Sequence, residues 1–261
     1  MPEVAIAIPL HREWLTPDES ISLHHLQTWL AQVDKFWLAP ETLKIAPADF
    51  PIVPFSADYF ESVATYSRLL LSPKFYSAFA AYDYILIYQL DCLVFSEQLL
   101  DWCRLGYDYI GAPLFEEDRQ PPRLSRVGNG GLSLRRVQAF LDVLNSPYIP
   151  SWMSVLSARM PDLNRLPIPK RWLKKMRVIR DARRGVKWYS SEYGLNEDLF
   201  WSDRARLFRP RFNIAPLEVA LRFAFERNPV YCFKQNNNHL PFGAHAWAKW
   251  DRVFWEPYLL S

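Results

Sequence analysis

The sequence is poor in glycine, in cysteine and in long apolar runs, and each shortage excludes a class of protein. Among 261 residues there are 8 glycines, against 21 prolines, and 3 cysteines. The cysteines, Cys92, Cys103 and Cys232, are odd in number and lack CxxC spacing. This pattern argues against a disulfide framework or a zinc site and predicts buried thiols in a reducing compartment.

No window approaches the roughly 20 apolar residues of a membrane span. The first residues, MPEVAIAIPLHR, lack the basic region of a signal peptide. We therefore expect a cytoplasmic protein. The net charge of +3 is too small to indicate a nucleic-acid partner, and we expect none. Half of the residues are apolar and 16% are aromatic, which is enough to bury the core of a single domain over residues 1–261.

Short apolar segments alternate with segments of helical periodicity along most of the chain. The central one, Tyr84 to Gln89, is almost wholly apolar and therefore predicts a strand covered on both faces. Further strands are expected at Val4–Leu10, Lys35–Leu38, Pro51–Phe55 and Tyr107–Ala112, and helices at Ser20–Ala31, Tyr59–Leu71, Phe75–Ala81, from Ser96, and at Arg135–Leu144. This alternation predicts an α/β fold, with a mostly parallel sheet and helices on both faces. We expect a flexible loop at 115–126 and a basic, irregular insertion at about 147–194.

Asp91 follows the central strand and lies between two apolar segments. Ligand crevices of open α/β sheets lie outside the carboxyl ends of the strands. Gln89 projects from the same side of the strand, and oxygen ligands of this kind suit a hard divalent cation. The alternative is that Asp91 caps the next helix, but Ser96 is the more natural N-cap. We therefore hypothesise that Asp91 binds a metal or a phosphate-bearing ligand.

Three other segments carry candidate polar groups. Gly128–Gly131 holds three glycines in four residues and predicts either a close approach to a ligand or a tight hairpin. Asn196-Glu197-Asp198 begins a helix and offers either a general base or an ordinary capping arrangement. His245, with His239 as its competitor, is either a metal ligand or a satisfied core residue.

The segment from Arg165 to Lys187 is strongly basic, with ten cations (Arg165, Lys170, Arg171, Lys174, Lys175, Arg177, Arg180, Arg183, Arg184 and Lys187) against Asp181. Apolar residues recur at helical spacing within it, at Trp172, Leu173, Met176 and Ile179. A basic amphipathic helix indicates contact with a membrane surface or a polyanion. The alternative is a solvated helix whose apolar stripe packs on the core, and the sequence leaves both open.

The four landmarks YQLDCLVF, GNGGLSLRR, NEDLFW and PFGAHAW, in this order, resemble those of GT-A glycosyltransferases. In their individual residues, these motifs are similar to those of a family of bacterial and fungal GT-A-like domains of largely unassigned substrate. The resemblance covers roughly Val4 to Trp247. It implies a single GT-A domain that transfers a sugar from a nucleotide-diphosphate donor to a hydroxyl of a glycan, lipid-linked or small-molecule acceptor, with inversion.

The resemblance also implies roles for individual residues. Asp91 and His245 match the ligands of a divalent metal, Mn²⁺ or Mg²⁺, although Gln89 replaces the first acid of the DxD motif. Asp198, with its neighbour Glu197, matches the general base. The positions that match the donor site are Pro9, Leu10, His11, Arg12, Tyr66, Arg68, Gln89, Asp91, Asn129, Gly130 and Gly131.

Two other classes of function remain. A sugar-phosphate nucleotidyltransferase usually has a glycine-rich phosphate loop after the first strand, whereas this chain has PLHREW there. A non-catalytic nucleotide- or carbohydrate-binding module of the same fold is disfavoured by Asp91, Asp198 and His245, and Gln89 keeps it open.

Overall fold

The computed structural model describes residues 3–44, 47–116, 120–151, 153–154, 167–182, 184–191 and 193–260. Its strands are β1 (Val4–Pro9), β2 (Asp34–Pro40), β3 (Ile52–Phe55), β4 (Tyr84–Tyr88), β5 (Leu93–Val94), β6 (Tyr109–Gly111), β7 (Pro113–Phe115), β8 (Leu124–Val127), β9 (Leu132–Arg136), β10 (Ala224–Phe225) and β11 (Gly243–Ala244).

The described helices are α1 (Pro17–Trp29), α2 (Val63–Leu70), α3 (Pro73–Ser77), α4 (Leu99–Arg104), α5 (Val137–Leu144), α6 (Ile168–Ala182), α7 (Gly185–Ser191), α8 (Glu197–Asp203), α9 (Ala205–Phe208), α10 (Leu217–Phe223), α11 (Pro229–Gln235) and α12 (Arg252–Trp255). Two 3₁₀ turns lie at Ala57–Phe60 and Glu256–Tyr258.

A six-stranded sheet in the order β3-β2-β1-β4-β9-β6 forms the centre of the structure. Strands β3, β2, β1 and β4 are parallel, and β9 runs antiparallel to both of its neighbours. Strand β4 is buried along its whole length. Its residues Ile85 and Ile87 belong to one core cluster, and Leu86 and Tyr88 belong to another on the opposite face. The predicted α/β fold with a mostly parallel sheet, covered on both faces, is therefore confirmed.

Two smaller sheets lie beyond the carboxyl end of β4. Strands β10, β11 and β5 form a three-stranded sheet, and β7 pairs with β8 in a hairpin. Residues Asp91 and Cys92 lie in the link between β4 and β5, so the small sheet begins where the central strand ends. This arrangement brings distant parts of the chain to one edge of the central sheet.

Several local predictions were wrong. Helix α4 begins at Leu99 with Gln98 in the N-cap position, so Ser96 lies before the cap, and its hydroxyl contacts the side chain of Gln98 at 3.4 Å. The expected helix at Tyr59–Leu71 is a 3₁₀ turn followed by α2, which Ser62 caps. Arg135 lies on strand β9 instead of starting helix α5.

The segments expected to be irregular contain regular structure. Strands β7 and β8 occupy parts of the predicted loop at 115–126, of which residues 117–119 lie outside the described residues. Helices α6 and α7 lie within the predicted insertion at 147–194. Arg165 and Arg183 lie outside the described residues of that insertion.

The three cysteines are free and buried, as the sequence predicts. Within the described ranges, we find no helix whose length and apolar character would let it cross a bilayer.

Candidate functional site

The candidate site lies at the carboxyl end of β4, where the small sheet aligns residues from three parts of the chain. Phe225 of β10 pairs with Ala244 of β11, so the next residues along these parallel strands, Glu226 and His245, are neighbours. The backbone N–H of Trp247 donates to the carbonyl of Asp91, at 3.2 Å. Together these pairings place Glu226 on one side of His245 and Asp91 on the other.

The imidazole of His245 contacts four polar side chains, of which Asn129 is described below. Its Nε2 lies 3.2 Å from Oε1 of Gln89 and 3.4 Å from Oδ1 of Asp91, and its Nδ1 lies 3.5 Å from Oε1 of Glu226. Burial lowers the pKa of His245, but Glu226 and Asp91 outweigh it and the pKa is raised overall. Burial raises the pKa of Glu226. The contact of Glu226 with His245 outweighs burial, and the pKa of Glu226 is therefore lowered overall.

Asn129 connects the histidine to the acidic helix. Its backbone is left-handed, with φ of 69°, and its Oδ1 accepts from the N–H groups of Gly131 and Leu132 at 2.9 and 3.2 Å. Its amide nitrogen lies 2.8 Å from Nδ1 of His245. Its backbone N–H donates to Oδ2 of Asp198, at 3.0 Å. Asp91, His245 and Asp198 are thus brought together although they lie far apart in sequence.

The glycines of the 128–131 loop make room for side chains. A Cβ on Gly131 would lie 2.1 Å from Nε2 of His245, and a Cβ on Gly130 would lie 2.3 Å from Oε1 of Glu197. Both distances are much shorter than a non-bonded contact. The imidazole and the carboxylate therefore fit only because a glycine is at each of these positions. The left-handed turn position of the loop is taken by Asn129, not by a glycine.

Glu197 forms a buried ion pair with Arg135. The guanidinium Nη2 lies 2.7 Å from Oε1 of Glu197, and the two side chains are 0% and 7% exposed. Arg135 also donates to the hydroxyls of Tyr76 and Ser133, each at 3.0 Å. Glu197 was predicted to be catalytic with Asp198; the structure encloses its carboxylate against Arg135, and its catalytic role stays a prediction. The contact of Glu197 with Arg135 fixes the start of helix α8.

Asp198 is the less buried acid of this pair. Its carboxylate accepts from the backbone N–H groups of Asn129 and Leu199, and its charge acts on His245. Burial, followed by repulsion from Glu197, raises the pKa of Asp198 to about 6. A carboxyl group with this pKa is mostly ionised at neutral pH and is a better proton acceptor than an ordinary aspartate.

A cleft of about 480 Å³ adjoins Asp91. Its wall includes the polar or aromatic residues His11, Arg12, Tyr66 and Gln89 and the apolar residues Leu15, Phe60 and Val63; Pro9 and Leu10 line it as well. The hydroxyl of Tyr66 is buried close to the side chain of Gln89. The positions matched to a nucleotide site, Pro9 to Arg12 and Tyr66, therefore share one hollow.

Two other candidates lie elsewhere. Arg68 was expected in the nucleotide pocket, but it lines a separate depression with Lys187, because helix α2 turns Tyr66 and Arg68 towards different sides. His239 lines a third depression with Trp102 and Arg222, so His245, and not His239, is the histidine beside Asp91.

The residues around Asp91 suit a hard divalent cation. Ligand atoms of Asp91, Cys92 and His245 lie within 4.8 Å of one another. Burial raises the pKa of Cys92 well above its usual value, and its thiol contacts the carbonyl of Gly131 at 3.3 Å, so Cys92 is a poor ligand. Two ligands bound at right angles about 2.1 Å from an ion lie about 3 Å apart. The separations of Gln89, Asp91 and His245 given above are close to this distance.

A family model matches residues 49–245, three quarters of the chain, under the description "Protein of unknown function (DUF5672)". The chain belongs to this family. No curated protein matches it.

Solved structures of glycosyltransferases are similar to this chain at low sequence identity. One is a glycosyltransferase involved in the glycosylation of the major capsid of PBCV-1, with 9% identity, 98% of each chain covered and a TM-score of 0.45. Another is an active-site mutant of LgtC, with 15% identity, 92% of this chain and 86% of that chain covered and a TM-score of 0.48. A third is mouse xyloside xylosyltransferase 1, with 11% identity, 93% and 97% covered and a TM-score of 0.47.

Sequence reasoning missed two residues of the site, Arg135 and Glu226. Arg135 follows the glycine loop in an alternating pattern with Leu132 and Leu134, and this alternation was the available signal for a strand. Glu226 lies between Phe225 and Arg227, where nothing in the sequence indicates a partner.

The raised pKa of Asp198 predicts a pH-dependent stability. The folded protein holds this proton more tightly than the unfolded chain, whose aspartate pKa is about 3.9. The stability contributed by Asp198 is thus fully present below about pH 4 and is lost as the pH rises through about 6. Asp198→Asn removes this titration, so the variant does not lose this stability as the pH rises. The free energy of unfolding of the variant should therefore rise relative to that of the wild type between pH 4 and 6, by up to about 3 kcal/mol.

Denaturant titrations at pH 4 to 7 in the presence of EDTA measure this difference. Asp203→Asn, on the same helix, is the matched control and should track the wild type. A constant difference between Asp198→Asn and wild type across this range would contradict the assignment.

Proposed function

We propose that this chain is a metal-dependent glycosyltransferase of the GT-A type, which transfers a sugar from a nucleotide-diphosphate donor to an acceptor hydroxyl. The observation that carries the proposal is the series of contacts that joins Asp91, on the wall of the 480 Å³ cleft, through His245 and Asn129 to Asp198. A cation site, a hollow large enough for a nucleotide and an activated carboxylate are the three elements that such a transfer needs.

The nucleotide is proposed to lie in the cleft between the end of β1 and helix α2. Apolar side chains there suit a flat base, and the aromatic ring of Tyr66 lines the same hollow. The guanidinium of Arg12 lies 2.6 Å from Glu19, which holds it at the edge of the cleft. In this position Arg12 can donate to an anionic ligand.

Asp91 and His245 would hold the cation, Mn²⁺ or Mg²⁺, with Gln89 as a neutral oxygen ligand. When bound, the cation stabilises the negative charge that a diphosphate leaving group gains as the glycosidic bond breaks. Glu226 and Asn129 orient His245, and the small sheet keeps Asp91 against it.

Asp198 is proposed to accept the proton of the acceptor hydroxyl. The hydroxyl oxygen then bonds to the anomeric carbon of the donor while the diphosphate leaves with the electrons of the broken bond. Attack opposite to the leaving group inverts the anomeric centre. Glycans, lipid-linked sugars and small molecules all carry a hydroxyl of the required kind, and we propose an acceptor from these classes.

Asp91→Asn should abolish cation-dependent donor binding, because a neutral amide replaces the charged ligand. The measurement is a thermal-shift panel of nucleotide sugars with and without Mn²⁺, in which binding to the native state raises the melting temperature. The matched control is Asp101→Asn, since Asp101 is an exposed acid on α4. An unchanged, Mn²⁺-dependent shift in Asp91→Asn would contradict the cation site.

Asp198→Asn should lower sugar transfer by about 10²- to 10⁴-fold, the usual contribution of a general base. Donor affinity should stay within about twofold, because the proposed base contacts the acceptor. Turnover is followed by release of the nucleoside diphosphate with a panel of acceptors, and Asp203→Asn again serves as the control. Full transfer by Asp198→Asn would refute the base. Donor binding by wild type without transfer or slow donor hydrolysis would favour a binding module.

We also propose that helix α6 contacts an anionic membrane surface. Trp172, Leu173 and Met176 are 62%, 65% and 47% exposed, so these three residues do not form a stripe packed on the core. They share one side of the helix, and exposed Lys170 and Arg177 flank them. The side chains of Lys174, Ile179 and Asp181 lie outside the described residues. Apolar residues flanked by cations are typical of helices that lie in the headgroup region.

Sedimentation with lipid vesicles tests this contact. Wild type should bind vesicles containing phosphatidylglycerol, and the Trp172→Ser/Leu173→Ser variant should lose at least tenfold in binding. Val253→Ser is the matched control, because Val253 is a 75% exposed apolar residue on α12. Binding that is equal for uncharged vesicles, or absent in wild type, would overturn this proposal.

A further inference from the structure

We infer that Glu226 is a positioning residue that accepts a hydrogen bond from the ring proton of His245 on Nδ1 when a cation binds at Asp91, so that Nε2 presents a lone pair to that cation. This inference rests on the proposed cation site. It concerns a residue to which the sequence assigned no role.

The position of Glu226 is set by backbone pairing. Strands β10 and β11 are parallel, and the N–H of His245 donates to the carbonyl of Phe225, at 2.9 Å. The two side chains that follow this pairing are 19% and 15% exposed, so water competes little with their contact. A carboxylate at this distance from one ring nitrogen of a histidine can fix which nitrogen carries the proton.

Asn129 defines the alternative state of the ring. Because its Oδ1 accepts from two backbone N–H groups, its NH₂ group must face Nδ1 of His245. If Nδ1 accepts from this amide, the ring proton is on Nε2 and points to Gln89 and Asp91. In that form the proton occupies the direction in which a cation would bind.

Cation binding therefore requires the other tautomer. Its Nδ1–H needs an acceptor, and Asn129 cannot be that acceptor because it presents a donor. Glu226 is the carboxylate on this side of the ring, 3.5 Å from Nδ1, and the amide of Asn129 acts on Glu226 as well. Glu226 thus stabilises the cation-binding tautomer once Nδ1 of the His245 ring shifts from the amide of Asn129 towards the carboxylate.

The test combines cation titration with nitrogen NMR on the full chain. Calorimetry with Mn²⁺ should give a dissociation constant about 10- to 100-fold weaker for Glu226→Ala than for wild type, the usual effect of removing the partner of a ligating histidine. Glu226→Asp should recover part of this loss. The control is Glu218→Gln, because Glu218 is exposed on the preceding helix α10.

The NMR arm uses ¹⁵N-histidine-labelled protein, with His245→Gln to assign the signals and Mg²⁺ as the cation. Wild type should show a protonated Nδ1 and an unprotonated Nε2 when Mg²⁺ is bound. This measurement needs no Glu226 variant and stands even where Glu226→Ala fails to fold.

The outcomes distinguish a failure of the role of Glu226 from a failure of the cation site. If wild type binds Mn²⁺ and Glu226→Ala binds equally well, or if Nε2 carries the proton with Mg²⁺ bound, the role of Glu226 is refuted and the cation site stands. If wild type binds neither cation, both the cation site and the role of Glu226 are refuted.

Discussion

Asn129 is the residue on which the geometry of the site depends. It is 3% exposed and contacts four parts of the chain: the glycine loop through its Oδ1, His245 through its amide, Asp198 through its N–H and Tyr109 through its carbonyl, at 2.9 Å. Its left-handed backbone gives these groups their separate directions. Asparagine tolerates this conformation better than most residues and also supplies both a donor and an acceptor.

The buried pair of Arg135 and Glu197 is enclosed by the core, whereas Asp91 lines the cleft. Removing one partner would leave an uncompensated buried charge, which usually costs about 3–5 kcal/mol. The pair links strand β9 to the first turn of α8, and the donation of Arg135 to Tyr76 extends the link to helix α3. It also places a negative charge next to Asp198 and so contributes to the raised pKa of that group. Adjacent acids in the sequence therefore have separate functions in the structure.

The sequence was sufficient to predict five of the six strands of the central sheet and the neighbourhood of Asp91, but strand β9 was missed. The apolar run at Tyr84–Tyr88 is buried only if layers of structure cover both faces of the sheet. A carboxylate that follows such a strand must then lie at the carboxyl end of the strand. Asp198 and His245 were found because each lies within a short motif, and these motifs occur in a recognisable order along the chain. Periodicity failed where tertiary contacts decide the structure, as for Arg135, which is tolerated on a buried strand only because Glu197 meets it.

Glu226 could not be predicted for a similar reason. Its partner is fixed by the pairing of two-residue strands about twenty positions apart, and strands this short have no detectable pattern. The enclosure of Glu197 by Arg135, and the position of Arg68 outside the cleft, likewise depend on which way each side chain turns. The directions of these side chains are set by packing. The sequence constrains them only where glycines such as Gly130 and Gly131 leave space for a neighbouring side chain.

The central claim is that one cation and one nucleoside diphosphate bind together where the central strand meets the small sheet. Anomalous diffraction at the manganese edge, from crystals grown with Mn²⁺ and a nucleoside diphosphate, measures this directly. The account predicts a single manganese peak about 2.1–2.3 Å from Asp91 and from Nε2 of His245, with the diphosphate reaching it from the cleft beside Tyr66. A manganese peak away from these side chains, or a nucleotide bound in another depression, would contradict it.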